Sequence, residues 1–166
     1  MESYPLDSLL SVRHFREEGA KREVRYAELA VREAEEEVLR RRQDHEVFHA
    51  WRLEEEERRY DAIMNKHMSI QQIDIFKTGL ARLAAEEAVK EEDIRKAEQL
   101  AEDARHALER ARENARKAMK NTAKITAHKD IWSEEAKKEA EHWGELELEE
   151  FRPISRHGAE AEGEDA

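Results

Sequence analysis

Apolar residues recur along this chain at alternating steps of three and four, the interval of a helix that buries one narrow stripe. From residue 73 to 146 one heptad register runs without insertion. One set of positions reads Ile73, Leu80, Glu87, Ile94, Ala101, Leu108, Ala115, Thr122, Lys129, Ala136 and Trp143; the other reads Phe76, Leu83, Lys90, Ala97, Ala104, Ala111, Ala118, Ile125, Trp132, Glu139 and Leu146. Upstream, Val24, Ala27, Val31, Ala34 and Val38 keep the same spacing. Leu53, Tyr60, Ile63 and Ile70 then fit a seam displaced by one residue, so a register shift with local unwinding is expected near Phe48 to Trp51.

Stop and start signals divide the pattern in two. Pro5 suits the first turn of a helix, and Asp7 follows where a negative charge meets the positive end of the helix dipole. Around residues 65–69 the periodicity breaks: Asn65 can take the left-handed conformation that ends a helix, and Ser69 with Gln72 forms a capping box that opens another. The expected fold is all-α, an antiparallel two-helix coiled-coil hairpin over 4–150, with helix 1 about 5–65, a turn about 65–69 and helix 2 about 70–150. Residues 151–166, with Pro153 and a Gly-, Ala- and Glu-rich composition, are expected to form a disordered acidic tail. Folding the chain near 67 sets Leu10 by Ile125, Val24 by Ala111, Val31 by Ala104 and Val38 by Ala97, so larger side chains meet alanines. At 1.5 Å per residue the helices would span roughly 90 Å and 115 Å, leaving helix 2 to overhang from near Trp132. Gly19 and Gly79 lie inside the helices and read as tolerated surface glycines.

Composition agrees with a rod. Charged residues make up 43% of the 166, against about 25% in an ordinary globular domain, and there are only five Gly and two Pro. The net charge is −11, but the stretch from Glu134 to Ala166 holds twelve acidic and four basic residues, which leaves the preceding body close to neutral. Such a surface has no basic stripe for phosphates, so no nucleic-acid partner is expected. Cysteine is absent, which removes disulfides and thiolate metal sites. The start of the chain lacks a signal peptide's basic and apolar regions, and no apolar run approaches about 18 residues, so a cytoplasmic protein without stable membrane insertion is expected.

One motif points toward catalysis. His45-Glu46-Val47-Phe48-His49 is a literal H-E-x-x-H, in which two histidines one helical turn apart bind zinc and the glutamate acts as base. A metallopeptidase also needs a third ligand and a substrate cleft, which a two-helix rod does not supply. The residues read instead as a polar seam position at His45, Phe48 packed or exposed beside it, and a solvated His49. Zinc held without catalysis is the remaining reading. No other catalytic set has a scaffold, and no cofactor is expected.

The apolar surplus asks for a different explanation. Phe48, Trp51, Leu53, Tyr60, Ile63, Met64, Met68, Ile70, Ile73, Ile75 and Phe76 crowd the turn end, more than a two-helix seam can bury. Of these, Phe48, Trp51, Tyr60, Met64, Ile75 and Phe76 are the candidate partner-binding residues of the tip. Tyr4, Leu6, Leu9, Leu10, Phe15, Trp132 and Trp143 form a second group at the opposite end. A hairpin with sticky ends suits a binding protein, either a connector or a coiled-coil adaptor that grips clients with its tip.

The run Tyr4-Pro5-Leu6-Asp7-x-Leu9-Leu10-x-Val12-Arg13-x-Phe15-Arg16 resembles the start of the YscO family of type III secretion proteins, which is akin to flagellar FliJ. The likeness continues in Arg25-x-Ala27-Glu28, Ala50-Trp51-Arg52, Tyr60-Asp61-x-Ile63 and His128-Lys129-x-x-Trp132, and covers about 4–150. The resemblance implies a non-enzymatic cytoplasmic stalk, similar to the coiled coil of the rotary ATPase γ subunit, that engages the secretion ATPase hexamer, the export gate protein and export chaperones. It makes Leu6, Leu9, Leu10 and Trp132 the candidate ATPase contact, and the tip around Trp51, Tyr60 and Phe76 the candidate contact for gate or chaperone. Asn65 stands where a turn glycine would be expected.

Overall fold

The computed structural model describes residues 3–151. Among these residues the chain forms two helices and no strand: α1 (Asp7–Ile63, 57 residues) and α2 (Ile70–Glu150, 81 residues). They pack side by side in opposite directions as the heptads predict. The tail expected over 151–166 lies, apart from Phe151, outside the described residues.

The turn is built as its residues dictate. Asn65 has φ 60°, the left-handed region that Asn tolerates, and the N–H groups of Met64 and Lys66 donate to the carbonyls of Tyr60 and Ile63, closing α1. Ser69 then caps α2 reciprocally: its Oγ accepts from Gln72 N–H at 3.2 Å, and Gln72 Oε1 accepts from Ser69 N–H at 2.9 Å. At the other end α1 starts at Asp7, so Pro5 sits in the turn before the helix rather than in its first turn. There the Asp7 N–H donates to the Tyr4 carbonyl at 3.1 Å.

Cross-helix contacts fix the register. They run from Asp7–Lys129 (2.7 Å) through Arg13 O–Thr122 Oγ1 (3.3 Å), Glu28–Arg112 (3.6 Å), Glu35–Arg105 (3.1 Å), Arg42–Glu98 (2.6 Å) and Arg52–Glu87 (2.8 Å) to the Tyr60 and Phe76 rings at 5.1 Å. Advance along α1 is matched by retreat along α2 to within five residues over the whole hairpin, so the pairing keeps one antiparallel register. Val38 packs with Ala97 and Ala101, and Ala34 joins them; Ala101 is only 1% exposed. The charged pairs flank this stripe as e and g residues do in coiled coils and set orientation more than stability, since exposed pairs contribute about 0–1 kcal/mol.

The expected register shift near Phe48 to Trp51 does not occur. The stripe of α1 continues from Val38 through His45, Phe48, Arg52, Glu55 and Arg59 in the original heptad, while Leu53 is 50% exposed and Ile70 faces solvent. An unbroken helix keeps its period whatever residues occupy it, and here polar side chains with partners across or along the seam hold the positions that the apolar residues leave. Gly79 is likewise more than a surface glycine. A Cβ there would lie 3.1 Å from Arg59 Nη1, so its small size makes room for that guanidinium.

Because Ala101 sets the helix separation at the core, Ala101→Leu should cost about 1–3 kcal/mol through overpacking. Thermal unfolding followed by far-ultraviolet circular dichroism measures it, and an unchanged midpoint would contradict close contact at this layer.

Candidate partner-binding ends and the polar layer between them

The terminal end is organised by Tyr4. Tyr4, 5% exposed, docks on α2 one residue before Pro5; its hydroxyl is hydrogen-bonded to His128 Nδ1 at 2.6 Å and its ring lies 5.5 Å from that of Trp132. Lys129 sits 5.8 Å from the Tyr4 ring while its ammonium holds Asp7, so the start of the chain is tied to α2 by aromatic contact, hydrogen bond and charge together. Of the four residues expected here, Leu10 is buried in the seam, Trp132 is half-buried against Tyr4, and Leu6 and Leu9 are 38% and 37% exposed. The outward apolar surface of this end therefore includes Leu6, Leu9 and the open edge of Trp132, with Val12 and Phe15 exposed further along α1.

Beyond Trp132, α2 runs on for roughly 27 Å without α1 beside it. Its seam face continues there, and Trp132, Ala136, Ala140 and Trp143 line an open groove of about 600 Å³. Trp143 and Leu148 are exposed.

At the other end the six expected tip residues fall into two groups. Tyr60 and Phe76 meet edge to face across the hairpin with a centroid separation of 5.1 Å, and Met64 and Ile75 project beside them, exposed. Phe48 and Trp51 pair with each other at 5.5 Å, with Lys90 at 5.3 Å from Phe48. Twelve residues of α1 separate Phe48 from Tyr60, roughly 18 Å, with Arg52, Glu55 and Arg59 on the seam between them.

Sequence reasoning passed over how these polar residues work together. Glu87, 7% exposed, is the hub: Arg52 Nε lies 2.8 Å from its Oε2, while His49 Nδ1 donates to Oε1 and His45 Nε2 lies 3.4 Å from the same oxygen. The hydrogen bond from His49 holds the Glu87 carboxyl below its usual 4.5, aided by the charge of Arg52 and opposed by burial. His45 also approaches Glu91, at 3.5 Å. One turn further on, Glu55, also buried, is paired with Arg58 and Arg59. A signal was available: Glu87 occupies a heptad position of α2 opposite His45 and Arg52 in α1, complementary partners that come together only when the hairpin is folded in its register.

The H-E-x-x-H residues do not converge on one point. His45 and His49 face Glu87 and Glu91 of the other helix, whereas Glu46, turned about 100° around α1, is exposed away from them.

The fold and its ends define a protein class, the antiparallel coiled-coil hairpin with unburied apolar residues at both extremities. Residues 6–153 match the family model described as type III secretion protein YscO. The chain belongs to the YscO family and is a component of type III secretion. Among solved structures, it resembles the type III secretion protein YscO from Vibrio parahaemolyticus, with a TM-score of 0.84 and 24% identity over 89% of this chain and 92% of that one. It also resembles the candidate YscO homologue CT670 from Chlamydia trachomatis, with a TM-score of 0.73 and 24% identity over 90% of this chain and 92% of that one. No curated protein matches the chain. Among the described residues no helix is long and apolar enough to cross a membrane.

Replacing Glu87 by Gln leaves Arg52 without its partner in the seam and should lower the thermal midpoint by several degrees at pH 7. Since the folded value of Glu87 is depressed, its contribution is complete above 4.5 and is lost as pH falls through that lower value. The difference between wild type and Glu87→Gln should therefore shrink below pH 4.5; a difference that widens there would refute the assignment.

Proposed function

We propose that this protein is a non-enzymatic cytoplasmic stalk of the type III export apparatus, linking the secretion ATPase hexamer at its terminal end with the export gate protein and export chaperones at its tip. The observation that carries the reading is an uninterrupted register over α1, roughly 85 Å, with chemically distinct apolar groups left open at either end. A rod without a slip or hinge transmits position from one end to the other. It can stimulate an ATPase by binding one arrangement of the ring more tightly than another, which requires differential affinity and no chemistry of its own. Leu6 and Leu9 present a small, firmly anchored surface, because Tyr4 and Lys129 hold the chain start against α2. Tyr60, Phe76, Met64 and Ile75 form the tip surface, and Phe48 with Trp51 offers a second lateral one.

Titration into the purified secretion ATPase should produce a complex and raise hydrolysis, and Leu9→Ala should weaken that complex by about tenfold or more while sparing capture of the gate protein or chaperone. Trp51→Ala should do the reverse. Unchanged hydrolysis with no complex, or loss of the same partner by both substitutions, would overturn the two-ended connector.

A further inference from the structure

The polar layer around Glu87 contains two pairs of potential ligands facing each other. His45 and His49 are one turn apart on α1, Glu87 and Glu91 are one turn apart on α2, and the register brings the two pairs together. We propose that this layer binds one divalent transition-metal ion of the zinc class, bridging the helices through His45 Nε2, Glu87 Oε1 and Glu91 Oε1, with solvent completing the coordination and His49 Nδ1 kept on Glu87 as an outer hydrogen-bond donor.

Distances support the assignment. A tetrahedral site with metal–ligand bonds of about 2.0–2.1 Å has edges of about 3.3–3.4 Å. His45 Nε2 stands 3.4 Å from Glu87 Oε1 and 3.5 Å from Glu91 Oε1, and the three ligand atoms all lie within 4.8 Å of one another. The imidazole nitrogen at the centre of this group is buried and lacks a hydrogen-bond partner, so a cation would satisfy an atom that the protein leaves unsatisfied. Arg52 holds the other oxygen of Glu87 at 2.8 Å, the outer contact that orients a ligating carboxylate. The two carboxylates and the Arg52 guanidinium sum to one net negative charge, and a divalent ion would reverse it without leaving an isolated buried anion.

The donor set selects the metal. One imidazole with two carboxylates suits zinc or cobalt, whereas calcium takes about six to eight oxygens and magnesium retains most of its water. Bound here, the ion would be structural: it would clamp α1 to α2 where the seam turns from apolar to polar, between the Val38 core and the tip. This inference does not depend on the stalk reading, since it concerns only residues within the hairpin.

The test uses the full chain, stripped with chelator and titrated with Zn²⁺ by calorimetry and with Co²⁺ by visible spectroscopy. One equivalent per chain, the intense visible bands of four-coordinate cobalt, and a raised thermal midpoint with zinc are expected. His45→Ala should abolish binding. Glu91→Gln alters a half-exposed side chain and so should preserve the fold while weakening binding by about tenfold or more. His106→Ala, at an exposed histidine distant along the rod, should leave it unchanged. No saturable binding, weak six-coordinate cobalt bands, or binding that survives both His45→Ala and Glu91→Gln, marking an adventitious ion on surface histidines, would overturn the proposal.

Discussion

Ala97, Ala101 and Ala115 on α2 decide how near the two helices lie, and among the described residues that line of contact is the interior. Small residues on one side allow Val38 and its heptad neighbours on the other to reach across, and among the described residues no large side chain is enclosed completely. Stability is therefore spread along the rod rather than concentrated in a core. Any layer that is lost weakens the hairpin locally, while the layers on either side retain their register.

The same constraint explains why both ends are apolar outside. A two-helix seam buries one stripe per helix, and residues placed one position off it have no third element to cover them. Leu6 and Leu9 at one end, with Met64 and Ile75 at the other, are exposed for this geometric reason. In an isolated rod such side chains add little to folding; the shaft exposes apolar residues too, among them Tyr26, Leu39, Val47 and Leu100, so exposure by itself does not single out the ends. Tyr4 adds rigidity where the chain would otherwise fray, with its ring against Trp132 and its hydroxyl on His128.

The tip half of the seam follows different chemistry. Past Val38, the positions of α1 that face α2 are held by His45, Phe48, Arg52, Glu55 and Arg59, and the apolar pattern wanders to the outer surface. Buried charges cost solvation, and Glu87 recovers it only because Arg52, His45 and His49 converge on it. Polar layers of this kind tolerate one alignment, since a shift of one heptad would leave Glu87 facing other side chains. The apolar core then holds the helices together and the polar layer specifies how they align.

Much of this was legible in the amino-acid order. The unbroken heptads of α2, the left-handed Asn65 and the reciprocal cap of Ser69 and Gln72 are local properties, and they determined two helices, their turn and their pairing. The family likeness was carried by short motifs at the ends. What the sequence alone did not decide was the course of the seam in the distal half of α1: Leu53 and Tyr60 suggested a shift because apolar residues were being followed, while half-buried His45 and Arg52 and buried Glu55 in fact hold the seam. A polar residue on a seam has no meaning until its partner is placed opposite, and that placement belongs to the folded hairpin. Only the tertiary structure, by laying Glu87 against Arg52, His49 and His45, 35 to 42 positions away in the chain and so outside any local pattern, could separate buried charge from solvated charge.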